Sequence, residues 1–321
     1  MSAQAFWITG VGQGEIRSVE LPRLRNDQVQ VSTLFTGISR GTEYLVFNGL
    51  VPNSEHQRMQ APFQDGEFSF PVKYGYINVG QVEQGPTALQ GRKVFCLYPH
   101  QSEYVVPADA VTILPESVPT NRAILGANLE TAINALWDAQ PAVGDRISIV
   151  GAGVIGCLVA WLASRIPGCE VELIDVNSNR EVLAEKLGVD FKLPEQASED
   201  RDLVIHASAS EQGINTALNL AGFEATVLEL SWYGSNAVSV PLGKAFHSRR
   251  LQIRSSQVGQ IAPTQRARWD YKRRLELALS MLKHNELDNL ISGESQFAEL
   301  PETMHNIMKN GRDVLCHRIC Y

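Results

Sequence analysis

A glycine triplet in the middle of the chain joins two apolar segments, and this is the feature that most restricts the fold. Residues 147–150 read Ile-Ser-Ile-Val, and a second apolar run, 171–174, ends on Asp175. The triplet between them has the spacing Gly-x-Gly-x-x-Gly and consists of Gly151, Gly153 and Gly156. A strand, a tight turn, a helix and a strand that ends in an acid are typical of a dinucleotide-binding unit.

Each residue of this unit has its own predicted task. Gly151 is expected to make the tight turn, Gly153 to let the backbone approach a pyrophosphate, and Gly156 to let helix and strand pack closely. The N–H groups at the start of the helix, which begins at Val154 and Ile155, would face the phosphates.

Two further side chains bear on the choice between NAD and NADP. Asp175 is expected to accept hydrogen bonds from the adenosine ribose, and its charge would repel a 2′-phosphate, which favours NAD. Arg180 is expected to lie over the adenine. Contact between Arg180 and a 2′-phosphate would instead favour NADP.

Composition limits the remaining classes of function. The chain has 321 residues and a formal net charge of −7, which argues against nonspecific DNA or RNA binding. No apolar run approaches the roughly 20 residues of a membrane span, and the N-terminus does not resemble a signal peptide. Five scattered cysteines, an odd number, suit reduced thiols. We therefore expect a cytoplasmic globular protein that binds no nucleic acid and no membrane.

The patterning predicts three stretches. Residues 1–118 are β-rich, 119–258 alternate strands with helices, and 259–321 open with a helix over 271–284 and close with a strand over 313–318. In the middle stretch the predicted strands are 147–150, 171–174, 203–206, 226–230 and 251–255, and the predicted helices are 154–166, 180–187 and 213–221. Such alternation predicts an α/β fold with a doubly wound parallel sheet.

The whole chain resembles the medium-chain dehydrogenase/reductase superfamily, which includes alcohol dehydrogenase. The resemblance is carried by residues 36–43 (Thr-Gly-Ile-Ser-Arg-Gly-Thr-Glu), by residues 71–80, by the glycine turn, and by Thr131-Ala132. It implies a GroES-like β-rich catalytic domain, a Rossmann NAD-binding domain, and a tail that returns to the catalytic domain. The segment 36–43 is most similar to a zinc-free branch that includes bacteriochlorophyllide hydroxyethyl dehydrogenase.

The sequence departs from the family at the metal positions. Where zinc-dependent members carry a Cys and a His-Glu pair, this chain has Ser39 and then Tyr76 and Ile77, and the third ligand position falls near Ala127-Asn128. These residues do not form a thiolate, imidazole or carboxylate set for zinc, so no metal is expected. Cys96 with His100 is a weak alternative. Cys316 and Cys320 would lie about 13 Å apart on one strand, too far to share an ion.

Without zinc, a side chain must move the hydroxyl proton. Thr42 matches the position of the family's proton-relay hydroxyl. Tyr76 either points into the same cavity or is a packing residue whose hydroxyl is hydrogen-bonded. Lys73 could favour a phenolate nearby, or it could be a solvated surface charge. Ser39 either takes part in catalysis or fills the vacated thiolate site. Arg40 matches an arginine that binds the cofactor pyrophosphate in some alcohol dehydrogenases.

Other candidate contacts follow from the carboxyl ends of the predicted strands, where ligands of open parallel sheets bind. Ser208 and Ser231 are expected to lie near the cofactor, as is Thr131 at the first helix of the cofactor domain. His206 better fits a core histidine bonded to backbone. Glu130 is either a polar cavity wall or an acid in the first turn of a helix.

Two segments bear on the substrate and on partners. Residues 49–70 are expected to form a lid or an apolar wall, and the arginine-rich region that begins at Arg249 and Arg250 could bind an anion or a second subunit. The oligomeric state stays open, but the resemblance implies that a homodimer would form its contact at 251–254. Hydride transfer between NAD and a secondary alcohol or ketone is the favoured function. The alternatives are an NADPH-dependent quinone or enoyl reductase and a non-catalytic dinucleotide-binding protein.

Overall fold

The computed structural model describes residues 2–311 and 313–321. Met1, the first residue of the segment tested for a signal peptide, lies outside the described residues. The chain divides into two compact units. The first unit consists of the residues up to Ala127 together with Leu275–Tyr321, and the second of Asn128–Arg274. No helix among the described residues is both long and apolar enough to cross a membrane.

The elements up to the second unit are, in chain order, β1 (Ser2–Gly10), β2 (Gln13–Glu20), β3 (Gln28–Ile38), α1 (Arg40–Phe47), β4 (Asp65–Gly66), β5 (Val72–Lys73), β6 (Asn78–Gln84), β7 (Lys93–Cys96), β8 (Glu103–Pro107), β9 (Val111–Ile113) and α2 (Gly126–Ala139). The remaining elements are β10 (Arg146–Val150), α3 (Val154–Ala163), β11 (Glu170–Ile174), α4 (Arg180–Leu187), β12 (Asp190–Lys192), β13 (Arg201–His206), α5 (Glu211–Leu220), β14 (Ala221–Glu229), β15 (Gln252–Ser255), α6 (Tyr271–Met281), β16 (Ile291–Gln296), α7 (Leu300–Asn310) and β17 (Cys316–Cys320).

The first unit contains two sheets of described strands. One has the order β2-β1-β5-β4, and the other has the order β16-β17-β3-β6-β7-β9 with β8 also paired to β3. Most neighbouring strands are antiparallel, and β17, near the C-terminus, pairs with β3. This pairing places the end of the chain beside the residues that precede α1.

The second unit is built on a parallel sheet with the strand order β12-β11-β10-β13-β14-β15. The order reverses between β10 and β13, which is the switch point at which ligands of such sheets bind. The buried face consists of β-branched and aliphatic side chains such as Val150, Ile174, Val204 and Val227. The predicted α/β fold, with a β-rich domain and a doubly wound parallel sheet, is confirmed.

The predicted elements differ from the observed ones mainly at their ends. The helix predicted over 154–166 ends at Ala163, and the one predicted over 271–284 ends at Met281. The closing strand lies at Cys316–Cys320 and not at 313–318. The short edge strand β12 was not predicted. The opposite edge, β15, is exposed along its length and includes residues 252–254 of the predicted homodimer contact, whereas Leu251 precedes the strand and is buried.

Candidate functional site

The glycine turn of the second unit has three different backbone environments. Gly151 has φ +111°, which only glycine adopts readily, and a Cβ there would lie 2.8 Å from the backbone nitrogen of Ser208. A Cβ on Gly156 would lie 1.8 Å from the carbonyl oxygen of Gly151. A Cβ on Gly153 would meet nothing within 4 Å. Gly151 and Gly156 therefore serve the turn itself, whereas Gly153 faces open space.

Helix α3 begins at Val154, the residue after Gly153. Its N-cap is Gly153, and no side chain caps it. Val154 and Ile155 form the first turn and are half-buried. The N–H groups of an uncapped first turn, with the positive end of the helix dipole, suit an anion such as a pyrophosphate.

Asp175 is fixed at the end of β11 by two backbone hydrogen bonds. Its Oδ2 accepts from the N–H of Ala152 at 2.7 Å and its Oδ1 from the N–H of Asn177 at 2.9 Å. Each oxygen keeps acceptor capacity for a further donor. Arg180 and Asp175 both lie close enough to Cys157 to influence its thiol. Burial raises the pKa of this thiol to about 12, the charge of Asp175 adds to the shift, and the charge of Arg180 opposes it.

His206, at the end of β13, is bonded to side chains, so the expected backbone partner was wrong. Its Nδ1 lies 2.7 Å from Oε2 of Glu229 and its Nε2 lies 2.6 Å from Oγ of Ser208. The Oγ of Ser231 accepts from the N–H of Ala209 at 3.0 Å. The structure thus brings Ser208 and Ser231, the two predicted cofactor neighbours, into one hydrogen-bonded group.

Glu130 and the arginine-rich region have structural partners that the sequence did not indicate. Glu130 is buried and its Oε1 accepts from Nε of Arg274 at 3.0 Å, and it lies beyond the first turn of α2, so the interpretation as a helix-start acid was wrong. Burial raises the pKa of Glu130, and Arg274 opposes this shift. Arg249 donates to the carbonyl oxygen of Ala221, and Arg250 pairs with Glu224. These contacts bind the arginines to their own unit.

The first unit brings three predicted hydroxyl groups together. The Tyr76 hydroxyl, between β5 and β6, donates to Oγ of Ser39 at 2.6 Å and is also hydrogen-bonded to the Thr42 side chain. Ser39 is the N-cap of α1, and Thr42 lies in its first turn. All three side chains are half-buried. We call Tyr76, Ser39 and Thr42 the hydroxyl cluster.

The phenol of Tyr76 is held in its protonated form. Burial raises its pKa to about 12, the negative charge of Glu43 adds to the shift, and the hydrogen bonds with Ser39 and Thr42 oppose it. The idea that a cation stabilises a phenolate here was therefore wrong, because the shift has the opposite sign.

Lys73 is neither a partner of this phenol nor a solvated charge. Its side chain is buried, and its Nζ donates to Oε1 of Gln101 at 3.0 Å. The ammonium also lies 3.7 Å from a carboxylate oxygen of Asp65 and over the rings of Trp7 and Tyr98. Burial lowers the pKa of Lys73, and Asp65 opposes that shift.

The buried carboxylate of Glu43 and the buried imidazole of His100 form a pair next to the hydroxyl cluster, and the sequence did not predict this pair. Glu43 Oε1 accepts from the N–H of Ser39 at 2.7 Å, and its Oε2 lies 3.0 Å from Nε2 of His100. The other ring nitrogen of His100 lies 2.6 Å from Oγ1 of Thr36. The spacing of Ser39 and Glu43, one helical turn, was the available signal. His100 had been considered only as a partner of Cys96.

The remaining predicted residues lie in α1, in α2 and in the 49–70 segment. Arg40 is the first residue of α1 in the first unit, and Thr131 is half-buried in α2 of the second. In the 49–70 segment, Phe68 is buried, and its ring packs against those of His56 and Tyr74. No group of three His, Cys, Asp or Glu side chains suited to a metal ion occurs in residues 2–311 and 313–321.

Comparisons with known proteins bear on the fold and on the relatives of the chain. No protein-family model matches the chain. Over 310 residues the chain is 23% identical to D-guloside 3-dehydrogenase of Escherichia coli strain K12, which covers 86% of this chain and 88% of that protein.

Solved structures give the same fold. An alcohol dehydrogenase of Escherichia coli CFT073 complexed with NADH matches with a TM-score of 0.79 at 17% identity, covering 100% of this chain and 99% of that one. A protein of Sinorhizobium meliloti 1021 bound to NADP, described as a zinc-binding dehydrogenase, matches with a TM-score of 0.78 at 17% identity, covering 100% of both chains. In fold, and in the relatives that it resembles over most of its length, the chain is similar to the medium-chain alcohol and polyol dehydrogenases.

Proposed function

We propose that the chain is a zinc-independent dehydrogenase that transfers a hydride between NAD and a secondary alcohol or ketone. The observation that carries the proposal is the hydrogen bond between Tyr76 and Ser39, at the positions where zinc-dependent members carry two metal ligands. A pair of hydroxyl groups can donate or accept a proton, which is the task that a metal otherwise assists.

The glycine turn supports cofactor binding in the second unit. The open side of Gly153 and the uncapped start of α3 fit a pyrophosphate, and the carboxylate of Asp175 fits the hydroxyls of a ribose. A nicotinamide cofactor bound there supplies or accepts the hydride. The fixed negative charge of Asp175 disfavours a 2′-phosphate, which supports NAD, whereas Arg180 nearby is the feature that would serve NADP.

Tyr76 is the residue that we assign to proton transfer. Because its pKa is raised to about 12, the phenol carries its proton at neutral pH and can give it from Oη to a carbonyl oxygen of the substrate. The hydroxyls of Ser39 and Thr42 favour the resulting phenolate, since their hydrogen bonds lower the pKa. A phenol that is protonated at rest favours reduction of a ketone over oxidation of an alcohol.

The donor chemistry supports independence from zinc. Ser39 offers a neutral hydroxyl, Tyr76 a protonated phenol and Ile77 an apolar side chain, whereas zinc binds thiolate, imidazole and carboxylate. Glu43 is a carboxylate in this region, but both of its oxygens already accept or share hydrogen bonds with Ser39 and His100.

The test combines a metal measurement with one substitution. We expect purified protein to contain no stoichiometric zinc, and to reduce ketones with NADH equally well before and after chelator treatment. Tyr76→Phe should lower kcat by about 100-fold or more while NADH affinity stays the same. Tyr44→Phe, at an exposed tyrosine of α1, is the matched control and should keep full activity.

Three results would contradict the proposal. Stoichiometric zinc whose removal abolishes activity would show that a metal acts in the reaction. Full activity of Tyr76→Phe would remove the proton donor from the mechanism. Tighter binding of NADPH than of NADH, with reduction of quinones or enoyl compounds only, would favour the reductase alternative.

A further inference from the structure

The carboxyl ends of β13 and β14 carry a chain of hydrogen bonds, centred on a buried histidine, that the proposed reaction has not used. It consists of Glu229, His206, Ser208 and Ser210, and we call it the His206 relay. His206 is completely buried and lies between Oε2 of Glu229 at 2.7 Å and Oγ of Ser208 at 2.6 Å. The Ser208 oxygen lies a further 2.9 Å from Oγ of Ser210.

The ionised carboxylate sets the direction of the relay. Burial raises the pKa of Glu229, but the hydrogen bond and charge of His206 together with the hydrogen bonds of Ser231 outweigh it, so the net pKa is lowered. An ionised carboxylate only accepts, so Nδ1 of His206 carries the hydrogen. Nε2 of His206 faces the Ser208 hydroxyl, and whichever of the two groups donates, the Ser208 oxygen keeps one acceptor lone pair for another group.

The backbone around the relay is shaped to hold it. Gly213, in the first turn of α5, leaves space for the relay, because a Cβ there would lie 2.0 Å from Oγ of Ser208 and 2.5 Å from Nε2 of His206. The N–H of Gly213 also donates to Oγ of Ser210, the N-cap of that helix. On the other side, the backbone nitrogen of Ser208 packs against Gly151 of the glycine turn.

The strand order gives the relay its place along a bound dinucleotide. Neighbouring strands run β11, β10, β13, β14, with Asp175 after β11, the glycine turn after β10, and Ser208 after β13. If Asp175 takes the adenosine ribose and the glycine turn takes the pyrophosphate, the rest of the dinucleotide extends over β13 and β14. The relay therefore lies on the nicotinamide side of the pyrophosphate.

We propose that Glu229 and His206 are positioning residues for the nicotinamide riboside half of the cofactor, and that they present Ser208 as an acceptor for a ribose hydroxyl. The inference rests on the proposed cofactor site of the second unit. It assigns a chemical role to a histidine that would otherwise be a core residue, since a buried imidazole with two side-chain partners orients both of them.

ADP, ADP-ribose and NADH separate this role from general damage to the fold. ADP contains only the adenosine ribose and the pyrophosphate, whereas ADP-ribose and NADH add the second ribose. We expect Ser208→Ala and His206→Asn each to weaken binding of ADP-ribose and NADH about tenfold, the equivalent of one hydrogen bond, while the Kd of ADP changes less than twofold. The double variant should bind no more weakly than either single one, because His206 acts through Ser208.

Two further variants keep the test decisive. His247→Asn changes an exposed histidine of the same unit and should leave all three Kd values unchanged. Gly213→Ala reaches the relay from α5 and should reproduce the loss for ADP-ribose and NADH if His206→Asn fails to fold. Equal weakening of ADP and NADH, or no weakening of either, would overturn the positioning role. Failure of the unaltered protein to bind ADP, ADP-ribose or NADH would instead overturn the proposed cofactor site.

Discussion

Replacing Gly153 by alanine should weaken cofactor binding at least tenfold without unfolding the protein. The residue has φ −74°, which alanine adopts readily, and an added Cβ meets nothing within 4 Å. Alanine is a poorer N-cap than glycine, but it also restricts the unfolded chain, and each effect amounts to about 0.5–1 kcal/mol. The two effects act in opposite directions, so the free energy of unfolding should change by less than about 1 kcal/mol.

The added methyl group occupies the space in which a phosphate would approach the start of α3. Loss of that approach should raise the Kd of NADH at least tenfold, which corresponds to about 1.4 kcal/mol. The assay is a calorimetric titration with NADH, paired with the denaturant midpoint of the same preparation. Unchanged NADH affinity in Gly153→Ala would refute the assignment of this turn to the pyrophosphate.

Gly156→Ala is the structural counterpart. Its Cβ would lie 1.8 Å from the carbonyl oxygen of Gly151, and reaching an ordinary contact of 3.4 Å requires about 1.6 Å of backbone movement. Overpacking of this kind typically destabilises by 1–3 kcal/mol, and a backbone atom yields less than a side chain, so we expect about 3 kcal/mol. The denaturant midpoint of unfolding should be lower in Gly156→Ala than in the wild type and unchanged in Gly153→Ala.

Three other predictions follow from single contacts. Asp175→Ala should raise the affinity for NADPH relative to NADH about tenfold, measured by titration with both, because the charge that disfavours a 2′-phosphate is removed; an unchanged ratio would contradict the role of Asp175. Arg274→Met should lower the free energy of unfolding by about 3–5 kcal/mol, because it leaves Glu130 buried and unpaired. The double variant Arg274→Met/Glu130→Leu removes the unpaired charge and should recover most of this loss, as measured by denaturant unfolding. The folded pKa of Glu229 is below its ordinary value of 4.5, so its ionised carboxylate stabilises the fold fully above pH 4.5, and this contribution is lost as the pH falls through the folded pKa. In Glu229→Gln the free energy of unfolding should therefore fall less steeply with acid than in the wild type. Parallel pH profiles of the two proteins would contradict the shift.

Local elements of the proposed cofactor site could be predicted because their determinants are close in sequence. A glycine that needs positive φ, a helix that starts after a glycine, and an acid at the end of a strand each depend on a few neighbouring residues. The core strands β10 and β11 and helix α4 were accordingly placed to within a residue or so. The ends of α3 and α6 were less certain, because helix ends depend on tertiary packing as well as on local sequence.

The hydroxyl cluster and Lys73 have properties that depend on residues distant in sequence. The sequence placed a phenol and two hydroxyls in one region, and the structure joins them through a 2.6 Å hydrogen bond between residues 37 positions apart. Whether that phenol is neutral or ionised depends on burial, which raises its pKa, and burial is not a property of the local sequence. Lys73 was misjudged for the same reason, since its environment is made by rings and an amide from distant strands.

The sequence by itself determined the class of fold and the strand, turn and helix around the glycine triplet. Only the tertiary structure decided which charged groups face each other. Glu43 meets His100 across 57 positions and Glu130 meets Arg274 across 144, and neither pair has a sequence pattern of its own. The physical reason is that glycine geometry and helix capping act within a few residues, whereas the partner of a buried charge is chosen by strand register and by burial, which arise only when distant segments pack together.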